Sequence, residues 1–411
     1  MITEIRIANF YSIGEEQAIS FVKNGKLPEK GYTQIKSGES SVTNSSVSLI
    51  NGFFGTNASG KTNVFRAITT LIAMMYNIPT PNTSPDISKN KNGIIRNFST
   101  KYKDLPIKLG ADFLLGDDLY SYDIDFQANG DILKEQLEVK QNQSKLGAAK
   151  KNVYTRNLEG VVTAGPSYKE LEGYLQKSIL AKNQNLFYLS MLQGFSFALN
   201  FRDKIFMWDL GISGTAPLLM GVINTALKLK HESNWLKNNA LEITTSAVKL
   251  FDPTIESIDI QAKDQISIKF FHKGFDEPVD FSNESAGTLQ LFTNIYQIIE
   301  ILRKGGVVIY DEINRLWHPD IQKAIFNLFL RNVNENRSQL IFSSHDHEIM
   351  GDLELDQIYL VEKELGSSIV YKLSDVEGVQ KRDNLSKKYR LGLYGATPDM
   401  IDFNYGLNEL I

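Results

Sequence analysis

The sequence predicts an α/β fold, with a mixed sheet, an antiparallel β subdomain and a helical insertion lobe. Three observations carry that prediction. Gly55-Thr56-Asn57-Ala58-Ser59-Gly60-Lys61-Thr62 is a complete G-x-x-x-x-G-K-[ST] phosphate loop, set between an apolar run, Val47 to Phe54, and a helix-like stretch, Asn63 to Met75. Two later apolar runs, 306–312 and 339–346, end in polar residues, the pattern of buried parallel strands with chemistry at their C-terminal ends. Leu105 to Val139 alternates polar and apolar residues around Gly116-Asp117 and Asn129-Gly130 turns, as antiparallel strands do.

The remaining elements follow in chain order. Ile2, Ile5 and Ile7, then Ala18, Ile19 and Phe21, predict a hairpin over Met1 to Phe21. Asn24 to Ser46 is polar and rich in Gly and Ser, which predicts a surface loop. Asn77 to Asn92 holds three prolines among Asn and Ser and reads as another loop. Pro166 to Asn200 and Pro217 to Phe251 read as helical. In the second, Leu218, Leu219, Val222, Ile223 and Leu227, then Trp235, Leu236 and Leu241, have the spacing of an amphipathic lobe. Ile255 to Phe271 alternates again as strands, and strand–helix alternation returns after it. The expected division is a first lobe with the phosphate loop over 1–140, a mainly helical insertion over 141–250, and a second part of the core over 251–411. No heptad pattern lasts four heptads, which argues against long coiled-coil arms.

Composition excludes several function classes. The chain has 411 residues, enough for a large core. A net charge of −4 predicts neither a strong nucleic-acid binder nor a membrane-surface protein. The absence of cysteine excludes disulfides, thiol catalysis and Cys-based zinc sites, and fits a reducing cytoplasm. No signal-peptide core follows Met1, and no apolar stretch is long enough to predict a membrane span.

The loop residues have defined chemistry. Gly55 and Gly60 let backbone N–H groups turn onto phosphate oxygens, and the following helix adds its N-terminal partial charge. Lys61 is expected to reach the β- and γ-phosphates of a nucleotide, and the Thr62 hydroxyl to ligate Mg²⁺. Asn57, Gly60 and Asn63 complete the expected nucleotide-binding set. With Gly at about 7% of residues, roughly one unrelated chain of this length in 70 matches such a loop by chance, so its partners decide the matter. Gly306-Val307-Val308-Ile309-Tyr310-Asp311-Glu312 supplies two carboxylates at a strand end. Asp311 is expected to hold Mg²⁺, directly or through water, and Glu312 to activate the attacking water as a base or by orienting it. Gln339-Leu340-Ile341-Phe342-Ser343-Ser344-His345-Asp346 repeats the design, and places His345 to contact a γ-phosphate. A lone strand-end histidine is ordinarily no more than that; three strands sharing one architecture favour the functional reading. Asn283-Glu284-Ser285-Ala286-Gly287-Thr288 opens a helix, where Ser285 is an N-cap or part of an anion-binding turn.

These segments, in this order, resemble the ABC-type ATPase heads of the SMC and Rad50 superfamily. Within it they are most similar to the compact ATPases of the overcoming-lysogenization-defect, RloA, AbiL and AriA-like kinds found in bacterial anti-phage operons. The resemblance includes Ile5-Arg6-Ile7-Ala8-Asn9-Phe10, the Asn57 form of the loop, Asp311-Glu312 with His318-Pro319, Ser343 to Asp346, and the segment Tyr389 to Pro398. It implies MgATP as ligand. It also implies that Ser285, Gly287 and Thr288 form a signature motif contacting the γ-phosphate bound to a second subunit. Asn314 to His318 would be the interface loop, and His345 the switch histidine. The signature departs from Ser-Gly-Gly-Gln, and Tyr11 stands where many such heads carry Arg. The glutamine of the glutamine loop is not placed by the sequence; Gln127 is one candidate.

The sequence thus leads to a cytoplasmic ATP-hydrolysing head that works as a homo-oligomer, at least a dimer. The resemblance implies an anti-phage sensor or regulator acting on a toxin or nuclease effector from a neighbouring gene, with a phage protein as trigger. The alternative is a DNA-maintenance ATPase of the Rad50 kind that binds DNA; a non-hydrolysing scaffold is a third reading, opposed by Glu312. Glu362 superficially resembles a Toprim acid, but no Asp-x-Asp follows it, and it reads as part of an ordinary strand. The basic runs Lys381-Arg382 and Lys387-Lys388-Tyr389-Arg390 read as a solvated face.

Overall fold

A computed structural model describes residues 1–25, 31–37, 41–76, 96–97, 99–116, 118–128, 131–140, 149–173, 234–262, 266–314, 318–330 and 336–397. The central sheet has five strands: β6 (Ile50–Phe54), β15 (Val307–Tyr310), β16 (Gln339–Ser343), β17 (Ile358–Glu364) and β18 (Ser367–Lys372). Their order is β15-β16-β6-β17-β18, parallel except for the antiparallel hairpin partner β18. Every residue of β6, β15 and β16 is buried, because both faces of this sheet are covered. Strand periodicity splits the side chains between two cores. Phe53, Val307, Ile309 and Ile341 face one core with helix α1 (Lys61–Tyr76). Ile50, Phe54, Val308, Tyr310, Leu340 and Phe342 face the other. That second core is filled by α3 (Ala286–Lys304) and α4 (Pro319–Leu330).

The antiparallel subdomain is a seven-stranded sheet. Its strands are β1 (Ile2–Ala8), β2 (Gln17–Ser20), β7 (Ile107–Leu115), β8 (Asp118–Phe126), β9 (Ile132–Lys140), β10 (Lys151–Asn157) and β11 (Val162–Ala164), in the order β11-β10-β9-β8-β7-β1-β2. Its apolar face packs with Val64, Phe65, Ile68, Leu71 and Ile72 of α1, so α1 lies between this sheet and the central one. Gln339 ties the two sheets: its side chain accepts from the Ile2 amide at 2.9 Å and donates to the Ile2 carbonyl at 3.0 Å.

Two expectations are corrected. Asn24 to Ser46 is not merely a loop. β3 (Val22–Asn24), β4 (Tyr32–Ser37) and β5 (Ser41–Ser48) form a small antiparallel sheet, with strands rich in Ser, Thr and Val. The polar Ser content concealed a β-branched pattern that suits a half-exposed strand. The stretch 151–164, assigned to the helical insertion, instead extends the seven-stranded sheet as β10 and β11. Most of the expected helical lobe, 174–233, and the expected loop 77–92 lie outside the described residues. The C-terminal part of the second helical stretch is α2 (Asn234–Phe251), which packs beside α3. The small sheet of β12 (Ile255–Ala262), β13 (Ile266–His272) and β14 (Val279–Asp280) follows it. The chain's last described helix is α5 (Leu385–Arg390). No described helix is long and apolar enough to cross a membrane.

Candidate nucleotide site

Parallel pairing brings the C-terminal ends of β6, β15, β16 and β17 to one edge of the sheet, where ligands bind in open α/β folds. There they surround a cleft of about 570 Å³. Asn57, Gly60, Lys61, Thr62, Asn63, Asp311, Glu312 and His345 all line it. The loop's shape depends on its glycines. Gly60 has φ +112°, and a Cβ there would lie 2.0 Å from the Ser368 hydroxyl oxygen. At Gly55 (φ +154°) it would lie 2.1 Å from the Val361 carbonyl oxygen.

Lys61 lies at the first position of α1, is 5% exposed, and donates to the carbonyls of Gly55 and Thr56 at 2.8 Å each. Burial pushes its pKa down to about 8, against the opposing pull of Asp311 and Glu312. The ammonium is thus held by neutral carbonyls that phosphate oxygens can replace. The neighbouring Ser59 hydroxyl is buried and finds no hydrogen-bond partner among the described residues.

Ser343 fixes the Asp311 carboxylate and the backbone of Glu312. Its hydroxyl donates to Asp311 Oδ1 at 2.5 Å and accepts the Glu312 amide at 2.7 Å. Glu312 sits at φ +56°, a conformation that non-glycine residues rarely adopt. The Glu312 carboxylate lies 3.6 Å from His345 Nε2. Burial and the Lys61 charge lower the His345 pKa, while Glu312 and Asp311 pull it upward. Asn314 holds the histidine's backbone, its Oδ1 accepting from the His345 amide at 3.1 Å and the Ser344 hydroxyl at 3.2 Å. The Asp311 carboxylate and Thr62 hydroxyl are hard oxygen donors in one cleft, a set that suits Mg²⁺.

The residues expected to form a signature motif stand elsewhere. Ser285 caps α3, accepting the Thr288 amide at 3.0 Å; its hydroxyl lies 2.8 Å from that of Thr288. Neither they nor Gly287 line this cleft. Ser285 is exposed, and a Cβ on Gly287 would approach only the Ser285 hydroxyl, at 3.9 Å. Gln127 follows β8, its amide bonded to the Asp131 carbonyl at 2.8 Å, and does not line the cleft either. Of the expected interface loop, Asn314 and His318 are described, while 315–317 lie outside the described residues. Glu362 accepts the Ala396 amide at 2.9 Å and so anchors the C-terminal segment. Among the described residues no group of His, Asp and Glu has the arrangement of a metal cluster.

Sequence reading missed Ser12, Arg66 and Lys363, which also line the cleft. Lys363 obeys the strand-end rule that found Asp311 and His345, since it follows the apolar part of β17. Arg66 follows Thr62 by four positions and so shares its helix face. Ser12 had no sequence signal; tertiary folding brings it to within 2.7 Å of both the Asn63 amide group and the Ser368 hydroxyl.

A parallel strand running into a glycine phosphate loop, with carboxylates on a second strand and a histidine on the strand between, defines a P-loop nucleotide-binding protein. The chain belongs to the family described as "AAA domain, putative AbiEii toxin, Type IV TA system", which matches residues 50–351. No curated protein sequence matches it. Among solved structures it is similar to an SMC head bound to the C-winged helix domain of ScpA, at 11% identity over 90% of this chain and 97% of that one, with a TM-score of 0.47. An SMC head domain from Thermotoga maritima matches at 12% identity, 90% and 98% coverage and a TM-score of 0.41. An SMC head of Pyrococcus furiosus, bound to the C-terminal domain of ScpA, matches at 11% identity, 90% and 96% coverage and a TM-score of 0.46.

Proposed function

We propose that this chain is an ATPase that binds MgATP and hydrolyses it slowly in a site completed by a second copy. The observation that carries this reading is the meeting of Lys61, Asp311, Glu312 and His345 in one cleft, although they come from three separate strand ends. Lys61 and the loop amides would hold the β- and γ-phosphates. Thr62 and Asp311 would hold Mg²⁺, which would neutralise charge on the phosphates. Glu312 would orient a water, or take its proton, as it adds to the terminal phosphorus and the bond to the ADP oxygen breaks. His345 would donate a ring N–H to the phosphate. Exposed Ser285, with Gly287 and Thr288, would reach the γ-phosphate of the partner copy.

The biological reading is a cytoplasmic sensor or regulator of a bacterial anti-phage system, governing a separate toxin or nuclease. The family description, which names a putative toxin and a type IV toxin–antitoxin system, supports a place in such systems. An ATPase changes a partner only through contacts that differ between its nucleotide states, so the effector should sense the arrangement of the two heads. The test has two parts. Purified protein should release phosphate from ATP, and Lys61→Ala should not. In cells, protection against phage should require Lys61, Ser285 and Glu312 together with a neighbouring gene. Protection by this gene alone would rule out the separate effector.

A further inference from the structure

The sheet order gives the cleft two ends. Asp311 and Glu312 follow β15, and His345 follows β16, both on one side of β6. On the other side are β17, which carries Lys363, and β18, which carries Ser368. The Ser368 amide donates to the Ser12 carbonyl at 2.7 Å, so the turn between β1 and β2 docks at this second end. Tyr11, at φ +49°, is the residue of that turn preceding Ser12.

Arg66 reaches the same end. A helical side chain covers the turn N-terminal to its own Cα, so Arg66 leans back over Thr62 and Asn63. Its Nη1 lies 3.4 Å from Asn63 Oδ1, and its guanidinium carbon lies 5.2 Å from the centre of the Tyr11 ring. A guanidinium over an aromatic face is attracted by the ring and held flat, with its outer N–H groups free to donate. Arg66 and Lys363 both line the cleft, and neither has a carboxylate partner among the described residues. Without them the cleft's fixed charges are one lysine against two carboxylates, an unfavourable balance for a polyanion.

We propose that Arg66, held on the Tyr11 ring, and Lys363 form a cationic clamp for the nucleoside-side phosphates of a bound nucleoside polyphosphate. The proposal rests on the nucleotide-binding reading above and adds residues that no part of the phosphate-loop motif contains. The carboxylate end takes the reacting γ-phosphate; the clamp takes the phosphates that remain in the diphosphate product. The clamp therefore holds ADP as well as ATP.

The experiment is calorimetric titration of the full chain with ADP and with ATP. Arg66→Gln should weaken ADP and ATP alike by roughly ten-fold, the scale of one partly exposed charged hydrogen bond. Lys363→Gln should weaken both in the same sense. Tyr11→Leu should weaken ADP less than Arg66→Gln does, and adding it to Arg66→Gln should cost nothing further, because the ring acts through the guanidinium. Arg66→Lys should recover part of the affinity by restoring charge without the planar fork. Thermal unfolding of each variant at the parental temperature separates these effects from misfolding. Parental ADP affinity in Arg66→Gln overturns the clamp, and so does a fully additive Tyr11 effect. If the parent chain binds neither nucleotide, the function reading and the clamp fall together; if the parent binds and Arg66→Gln binds equally, only the clamp falls.

Discussion

Glu312 and His345 stand 3.6 Å apart, carboxylate oxygen to ring nitrogen, at the ends of strands that are neighbours in the sheet but far apart in sequence. Both line the cleft together with Lys61, and the lysine's charge helps keep the imidazole neutral. A neutral imidazole forms no ion pair with the carboxylate, which leaves the carboxylate oxygens free to accept from a water. Glu312→Gln keeps the shape and removes the carboxylate proposed to act as the base. It should bind ATP as the parent does and hydrolyse it at least ~100-fold more slowly, the lower end for losing general-base assistance. Single-turnover phosphate release checks this. Turnover at the parental rate would move the base to another residue.

Lys61 predicts a pH dependence of binding. Its pKa in the free protein is lowered by burial to about 8. Phosphate oxygens favour the ammonium form, so the bound complex should hold the proton more tightly than the free protein. Nucleotide affinity should then be flat well below that pH and fall as pH rises through it, with proton uptake on binding. Calorimetry in two buffers of different ionisation enthalpy measures the uptake directly. The sign for folding is opposite. An unfolded lysine keeps its proton up to about pH 10.4, so the unfolded chain binds more protons and the ligand-free protein gains stability as pH rises between the two values. Affinity that is constant through this range would mean that phosphate does not meet the Lys61 ammonium.

Gly60 tests the cradle itself. An alanine there meets the Ser368 hydroxyl at 2.0 Å and that of Ser12 at 2.8 Å, and must hold φ at +112°. Gly60→Ala should lose nucleotide binding and destabilise the chain by about 1 to 3 kcal/mol, the cost of a strained backbone position. Removing the obstruction with Ser368→Gly should recover stability only in part, because the φ strain stays. Thermal unfolding of the single and double variants reads this out. Full recovery would assign the whole cost to the steric contact.

The parts of this site that were legible in the sequence are those where covalent order and chemistry coincide. Gly55 to Thr62 carry their own loop geometry, and Asp311, Glu312 and His345 end apolar runs that only a buried parallel strand explains. Ser285 was legible as a helix cap, and it is one. What stayed hidden depends on pairings between distant segments. Ser12 enters the site because Ser368 of β18 holds the β1–β2 turn against the loop. Arg66 looks like any solvated helix cation until Tyr11 is folded beside it. β10 carries Lys, Asn, Thr and Arg, and only its pairing with β9 identifies a strand where helical insertion was expected. Buried Glu135 of β9 is explained only in three dimensions, where it accepts from the hydroxyls of Tyr122 at 2.8 Å and Tyr154 at 2.9 Å.

The position of Ser285 leads to the last prediction. It is exposed at the start of α3 and absent from the lining of its own chain's cleft. Its hydroxyl already accepts the Thr288 amide, as an N-cap does, but a capping hydroxyl still has a proton to donate. If Ser285 completes the site of a second copy, its loss and the loss of Lys61 damage different sites in a mixed dimer. In a Ser285→Arg chain paired with a Lys61→Ala chain, one site carries both defects and the other carries neither. Each variant alone should be inactive. A mixture at equal concentrations should regain hydrolysis, with about one working site per mixed dimer under two-fold symmetry. Phosphate release measured across mixing ratios should peak at equal amounts. A mixture that stays inactive while both variants still dimerise would overturn the composite site.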